Sequence, residues 1–307
     1  TVADFSAARV NLAGAFCELG LSCEQDGRLQ KAGLCYRQAL AARPRHAPAL
    51  VSLGNVLKAQ DDMSGAADCY RQLLDGNLRR TALELWLASL CPAVFADAAS
   101  IDEYRSGLFS RLKQMLDGGA TLDPSEISTL GSPIPYNLQF HGRNDRPLKE
   151  AFATLVGRSI AAPPALKRNG PPRVGFVVTT GHEGAFLRYL RESIVGMNGA
   201  KFERVVVCTR HSADSRPRGI GDASVRYLTL PDDFSDAIAA IRGAEFDVLY
   251  HWEVGSDVWN YFLPFYRLAP VQCTSAGLPV TTGIPAMNYL LSDDIAEPHD
   301  AERHYSE

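Results

Sequence analysis

Three short stretches carry the side chains that can do chemistry. Thr179-Thr180-Gly181-His182-Glu183-Gly184 follows the apolar run Arg173–Val178, and His251-Trp252-Glu253-Val254-Gly255-Ser256 follows Phe246–Tyr250. Gly277-Leu278-Pro279-Val280-Thr281-Thr282-Gly283 comes shortly after Val271–Thr274. An imidazole exchanges protons near neutral pH, so His182 can orient or deprotonate a hydroxyl, and Glu183 and Glu253 are further candidate bases. Glycines 277 and 283 let backbone N–H groups approach an anion or a polar ring closely, and Thr281 and Thr282 can donate hydrogen bonds. Each stretch also has a plainer reading. His182 can cap the following helix, His251 and Glu253 can be an ordinary polar strand end, and Gly277–Gly283 can be a tight turn. Trp252 and Trp259 read as core residues rather than as ligand platforms.

These stretches are loops because of what surrounds them. Arg173–Val178 has a buried-strand pattern, Arg204–Cys208, Phe246–Tyr250, Val271–Thr274 and Asn288–Leu291 read as further strands, and Val225–Leu230 is another candidate. Ala185–Val195 and Asp233–Arg242 have helical periodicity, and Val258–Tyr266 is a helical segment interrupted by Pro264. Strands alternating with helices imply a mostly parallel sheet with right-handed crossovers. Ligands bind such sheets at the carboxyl ends of the strands. All three loops leave those ends, so the sequence predicts one shared cleft, with His182 facing Gly277 and Pro279.

The N-terminal part has a different period. Cys35-Tyr36-Arg37-Gln38 recurs as Cys69-Tyr70-Arg71-Gln72, 34 residues on, and Leu19/Leu53, Gly20/Gly54 and Ala32/Ala66 match in the same register. The small residues let two helices approach, and Pro44 and Pro48 punctuate the units. This resembles the tetratricopeptide family, two repeats over residues 13–80, with a groove for a peptide as the implied function. Arg79–Leu90 and Ile101–Leu116 read as helices that cap the stack. The segment 117–147 is rich in Gly, Pro, Asp and Asn. A helix over Pro147–Ile160 and the proline-bracketed linker 161–172 follow. The expected organisation is therefore 1–80 helical repeats, 81–165 connecting region, and 166–307 an α/β unit.

Composition narrows the class. With 307 residues, 46% hydrophobic and 21% charged, the chain is globular and of two-domain size. A net charge of −4 argues against nucleic acid as a partner, and no apolar run is long enough to span a bilayer. Seven scattered cysteines without a CxxC pair read as free thiols of a reducing cytoplasm, and the absence of an Asp-x-Asp motif leaves no metal expected. The start at Thr1 and the end just after His304-Tyr305-Ser306-Glu307 read as those of a piece of a longer chain.

Ala269-Pro270-Val271-Gln272, then Gly277, Pro279, Thr281, Thr282, Gly283 and Tyr289, then His304-Tyr305-Ser306-Glu307, preceded far upstream by Gly142-Arg143-Asn144-Asp145, form a pattern. It resembles the O-linked N-acetylglucosamine transferases and their SPINDLY-type relatives, in which repeats precede the catalytic part. Leu278 and Val280 stand where the family has Tyr and Gly, and the residues flanking His182 differ too. The resemblance implies one Rossmann-like lobe of a two-lobed GT-B glycosyltransferase. The second lobe, which holds most of the uridine diphosphate, would lie outside this chain. It also implies a nucleotide-sugar donor (UDP-GlcNAc), a Ser/Thr hydroxyl of a protein as acceptor, no cofactor, and a site built from His182 and Glu253 as catalytic groups. Glu183, His251, Gly277, Pro279, Thr281, Thr282 and Gly283 would contact substrate. The alternative from another class is a tetratricopeptide scaffold joined to a lobe without chemistry.

Overall fold

The computed structural model describes residues 2–74, 80–122, 136–157, 170–210, 220–275, 277–278, 280–293, 295 and 297–307. Pro279 and most of the linker after residue 157 lie outside the described residues. The chain divides into two compact units, Thr1–Arg111 and Leu112–Glu307.

The first unit is helical: α1 Val2–Gln25, α2 Leu29–Ala42, α3 Ala47–Ala59, α4 Met63–Leu74 and α5 Arg80–Ser89, followed by α6 Ala98–Asp117, which crosses the boundary. The 34-residue offset in the sequence is also an offset in structure. Gly27 and Asp61 both take left-handed backbone, with φ of 71° and 61°, between the helices of each pair. Arg28 N–H bonds the carbonyl of Cys23, and Asp62 N–H that of Leu57, so both turns close in the same way. A Cβ on Gly20 would sit 2.5 Å from Tyr36 Cε1, and Gly54 leaves no more room beneath Tyr70. Glycine is required at both places because a buried tyrosine lies flat on the partner helix. α5 continues the packing through a Tyr70–Trp86 ring contact at 5.2 Å. The boundary between the two compact units falls at 111/112.

The second unit opens with a 3-10 turn, Tyr136–Phe140, and α7, Arg146–Gly157. The strands are β1 Arg173–Val178, β2 Glu203–Thr209, β3 Arg226–Leu230, β4 Val248–His251, β5 Val271–Ser275 and β6 Tyr289–Leu291. The helices between them are α8 Glu183–Gly196, α9 Phe234–Gly243 and α10 Val258–Phe262, the last continued by a 3-10 turn over Leu263–Tyr266. The strand order is β3-β2-β1-β4-β5-β6, and every described pairing is parallel. β2 buries Arg204 through Cys208 without alternation, as a strand covered on both faces must. On one face Val174, Phe176, Val178, Val206, Cys208, Tyr250 and Cys273 pack under Phe186 and Ile194 of α8. On the other, a Cβ on Gly175 would meet Leu249 and the Phe246 ring at 2.6 and 2.7 Å. α7 belongs to this unit: it buries Leu148, Phe152, Leu155 and Val156, and Phe152 meets Tyr261 at 5.8 Å between ring centroids.

Candidate active site

The strand order reverses between β1 and β4, and the loops leaving those two strands meet there. His182 stands in the loop after β1, at the N-terminal boundary of α8, and its side chain makes no capping bond. The ring turns instead toward the loop after β4. His182 Nδ1 lies 2.5 Å from Glu253 Oε2, and Nε2 lies 3.2 Å from Ser256 Oγ and 3.5 Å from Asp257 Oδ2. Asp257 also accepts a hydrogen bond from the Thr179 hydroxyl and caps α10 by accepting from the N–H groups of Trp259 and Asn260. Glu253 holds a left-handed backbone, φ 53°, a conformation that costs a non-glycine residue about 1–3 kcal/mol and collects at functional sites.

This bonding is suited to proton transfer. With Nδ1–H donating to the Glu253 carboxylate, Nε2 accepts the Ser256 hydroxyl hydrogen. When Nε2 takes up a proton, it donates to Ser256 Oγ, and that hydroxyl rotates to the Glu253 carbonyl, 2.9 Å away. Both states are fully bonded. Although serine, histidine and carboxylate stand in line, the groups do not form an acyl-transfer centre. The N–H groups of Gly255 and Asp257, beside Ser256, are taken by Asn260 Oδ1 at 3.0 and 3.2 Å and cannot hold an oxyanion.

The remaining candidate residues separate into two groups. Gly277 belongs with His182: a Cβ there would meet Glu253 Cγ at 2.9 Å and Trp252 Cη2 at 3.0 Å, so the β5 loop does close on the same edge. Glu183 turns back to accept the Gly181 N–H at 2.9 Å. His251, expected to contact substrate, is fully buried on the sheet face opposite Trp252. Its Nε2 is 3.3 Å from Gln272 Oε1, and Gln272 in turn donates to the carbonyls of Pro264 and Ala286. Strand alternation turned it inward. Thr281 and Thr282 are also buried, and the Glu307 carboxylate occupies them. Thr281 Oγ1 donates to Oε2 at 2.8 Å, and Thr282 donates its N–H to Oε1 at 2.6 Å as well as its hydroxyl. Gly283, φ 70°, comes close to protein rather than to ligand: a Cβ would lie 2.5 Å from the Lys149 carbonyl carbon in α7. Thr281 and Thr282 thus hold the Glu307 carboxylate, and Gly283 packs on α7. Lys149 itself is buried, which pulls its ammonium down to about 8 against the opposing pull of Asp145 and Glu307.

The sequence reading passed over Ser256 and Asp257. Their signal was the Ser-Asp pair immediately ahead of a helix, a capping pattern that also places both side chains beside the β1 loop. A separate cavity of ≈ 420 Å³ is lined by Arg143, Asn144, Thr281, His304 and Tyr305, among others. Among the described residues no cluster of three or more His, Cys, Asp or Glu is arranged to hold a metal ion, and no helix is long and apolar enough to cross a membrane.

Burial pushes the His251 imidazole down from 6.5 to about 4, with the Gln272 contact opposing. A base whose folded value is depressed binds fewer protons folded than unfolded, so stability rises with pH across the window from about 4 to 6.5 and is lost as pH falls through it. The shift is worth about 3 kcal/mol. Urea unfolding of the wild-type protein and of His251→Gln between pH 7.5 and 4 checks this. The variant, with no imidazole, should show the flatter acid limb, and identical slopes would contradict the assignment.

An open parallel sheet with its polar loops meeting at the reversal of strand order defines a Rossmann-like lobe. No protein-family model and no curated protein matches the chain. Among solved structures the chain is similar to a mutant of the Thermobaculum terrenum O-GlcNAc transferase, with a TM-score of 0.58 and 20% identity, over 98% of this chain and 56% of that one. The likeness is therefore one of fold, and the chain spans little more than half the length of that protein.

Proposed function

We propose that the chain is the N-terminal portion of a glycosyltransferase that moves a sugar, N-acetylglucosamine from UDP-GlcNAc, to Ser/Thr hydroxyls of protein. The observation that carries this reading is the Glu253–His182–Ser256 arrangement at the point where the strand order reverses, in a chain whose fold is like that of an O-GlcNAc transferase. The Ser256 hydroxyl turns to the Glu253 carbonyl, and His182 Nε2, its lone pair freed, takes the proton of the acceptor hydroxyl. The acceptor oxygen attacks the anomeric carbon, and the bond from that carbon to the diphosphate oxygen breaks, releasing UDP. Glu253 fixes the imidazole tautomer and stabilises the imidazolium. In this reading the lobe is half of a GT-B enzyme of the cytoplasm, with most of the UDP pocket in a second lobe. The helix pairs are tetratricopeptide repeats whose groove presents the protein acceptor, and nucleic acid and membrane are not partners.

The rival reading, a tetratricopeptide scaffold with a lobe that has lost its chemistry, has one observation in its favour: Thr281 and Thr282 already bond the Glu307 carboxylate. Calorimetry separates the two. UDP is expected to bind the intact protein but bind residues 1–307 at least tenfold more weakly. Binding by neither would favour the scaffold.

A further inference from the structure

Asn260, in the first turn of α10, is only 1% exposed. A buried amide needs partners for both its oxygen and its nitrogen. Its Oδ1 accepts the N–H groups of Gly255 and Asp257 at 3.0 and 3.2 Å. Those two donors decide which end of the amide is oxygen, so the NH₂ group must face the other way. There Nδ2 donates to Ser256 Oγ at 2.6 Å. One side chain thus fastens three consecutive residues, two by their backbone and one by its hydroxyl. The same residues carry Ser256 Oγ and Asp257 Oδ2 to His182 Nε2. A hydroxyl has one hydrogen to give and two lone pairs with which to accept. Asn260 occupies one lone pair of Ser256 Oγ. The other partners of that oxygen among the described residues are His182 Nε2 at 3.2 Å and the Glu253 carbonyl at 2.9 Å, and the carbonyl can only accept. With the hydrogen on the Nε2 side, the imidazole lone pair is engaged. With the hydrogen on the carbonyl side, the second lone pair of Oγ is open to an Nε2–H. The amide turns its nitrogen, not its oxygen, to Ser256, so it offers the hydrogen no third position.

We propose that Asn260 is a positioning residue for sugar transfer: it holds the Ser256 hydroxyl as a two-position switch on His182 Nε2. The base is freed when the hydroxyl turns to the Glu253 carbonyl, and the imidazolium that forms is caught by the same oxygen. This rests on the transferase reading and names the group that orders the Nε2 side of the ring, as Glu253 orders the Nδ1 side. The chemistry of position 260 is then specific. Aspartate, of nearly the same shape, keeps an oxygen for the two backbone N–H groups but has no hydrogen for Ser256. Its second oxygen draws the Ser256 hydrogen away from both other partners, and the switch is lost while the loop is kept.

The test is a double-mutant cycle on the intact protein, with UDP-N-acetylglucosamine and a protein acceptor. Asn260→Asp should lower kcat about tenfold, within the loss of up to about 10² that a small misplacement of a reacting group brings, and leave the donor KM within about twofold. Ser256→Ala should lower kcat about as much. The double variant should fall no further, because Asn260 acts through Ser256. The imidazole ¹⁵N resonances of His182, identified by their loss in His182→Ala, are read without substrate. Nε2 should move in both single variants, and Nδ1 should hold its place. Losses that multiply in the double variant, an unchanged kcat in Asn260→Asp, a loss confined to KM, or an Nε2 resonance that stays put overturns the switch. Should Asn260→Asp fail to fold, Ser256→Ala decides alone, since it leaves the backbone bonds of the loop in place: unchanged kcat or an unmoved Nε2 resonance overturns the switch. Turnover that depends on His182 alongside an unmoved resonance removes the switch and leaves the transferase reading standing. The expected shifts in a protein with no sugar turnover remove the transferase reading, and with it a role for Asn260 in transfer.

Discussion

His182→Ala should lower the turnover number of the intact protein by about 10²- to 10⁴-fold, the range over which a positioned base accelerates proton transfer. Its affinity for UDP should change less than about threefold. The division follows from geometry. Both imidazole nitrogens are engaged at the reversal of strand order, by Glu253 at 2.5 Å and by Ser256 at 3.2 Å, in an arrangement that takes up a proton without losing a hydrogen bond. Under the proposed transfer such an arrangement acts when the acceptor hydroxyl loses its proton, in the transition state, and not on the nucleotide in the ground state. His182 is partly exposed and contributes no capping bond, so its removal does not unfold α8. Steady-state kinetics with calorimetry reads both quantities. Unchanged turnover would remove His182 from the chemistry, and a parallel loss of turnover and UDP affinity would make it a binding residue.

Gly283→Ala should destabilise the α/β unit by about 2–5 kcal/mol. Two costs add. An L-residue at φ 70° carries about 1–2 kcal/mol of strain, and the new Cβ would lie 2.5 Å from the carbonyl carbon of Lys149, a backbone atom that cannot rotate away. Moving α7 to make room would also disturb Lys149, buried between Asp145 and Glu307. Gly181→Ala is the matched control. Gly181 has φ 89° but nothing within 4 Å of its Cβ position, so only the strain of about 1 kcal/mol should appear. Urea midpoints of the two variants measure the difference. Equal losses would mean that the approach of Gly283 to α7 bears no load.

Local periodicity carried much of the fold. The repeat of Gly20 and Tyr36 at Gly54 and Tyr70 was legible because one helix pair and its copy meet the same steric demand, and the structure adds matching turns at Gly27 and Asp61. The buried strands were legible because a parallel sheet covered on both faces leaves continuous apolar runs. The edge shared by the loops of His182 and Gly277 followed from strand direction alone. What sequence could not supply was which polar group meets which. Thr281 and Thr282 look like ligand donors until Glu307, 25 residues further on, is seen to fill them. His251 and Glu253 differ by two positions in one loop, yet the last residue of β4 turns into the core while the left-handed turn swings Glu253 to His182. Gly283 was read as a place where backbone approaches a ligand, and in the structure it approaches protein. The approaching partner, the backbone of α7, is more than a hundred residues away in sequence and left no local trace.

The most direct measurement of the central claim is product formation by the intact protein. It is incubated with UDP-N-acetylglucosamine and protein acceptors, and the UDP released is quantified alongside mass spectrometry of the acceptors. Each acceptor hydroxyl that reacts should gain one N-acetylhexosamine on Ser or Thr, with one UDP and one proton released, and the His182→Ala protein should show almost none. No release of nucleotide above that variant, with any UDP- or GDP-sugar offered, would contradict the assignment of this lobe to sugar transfer.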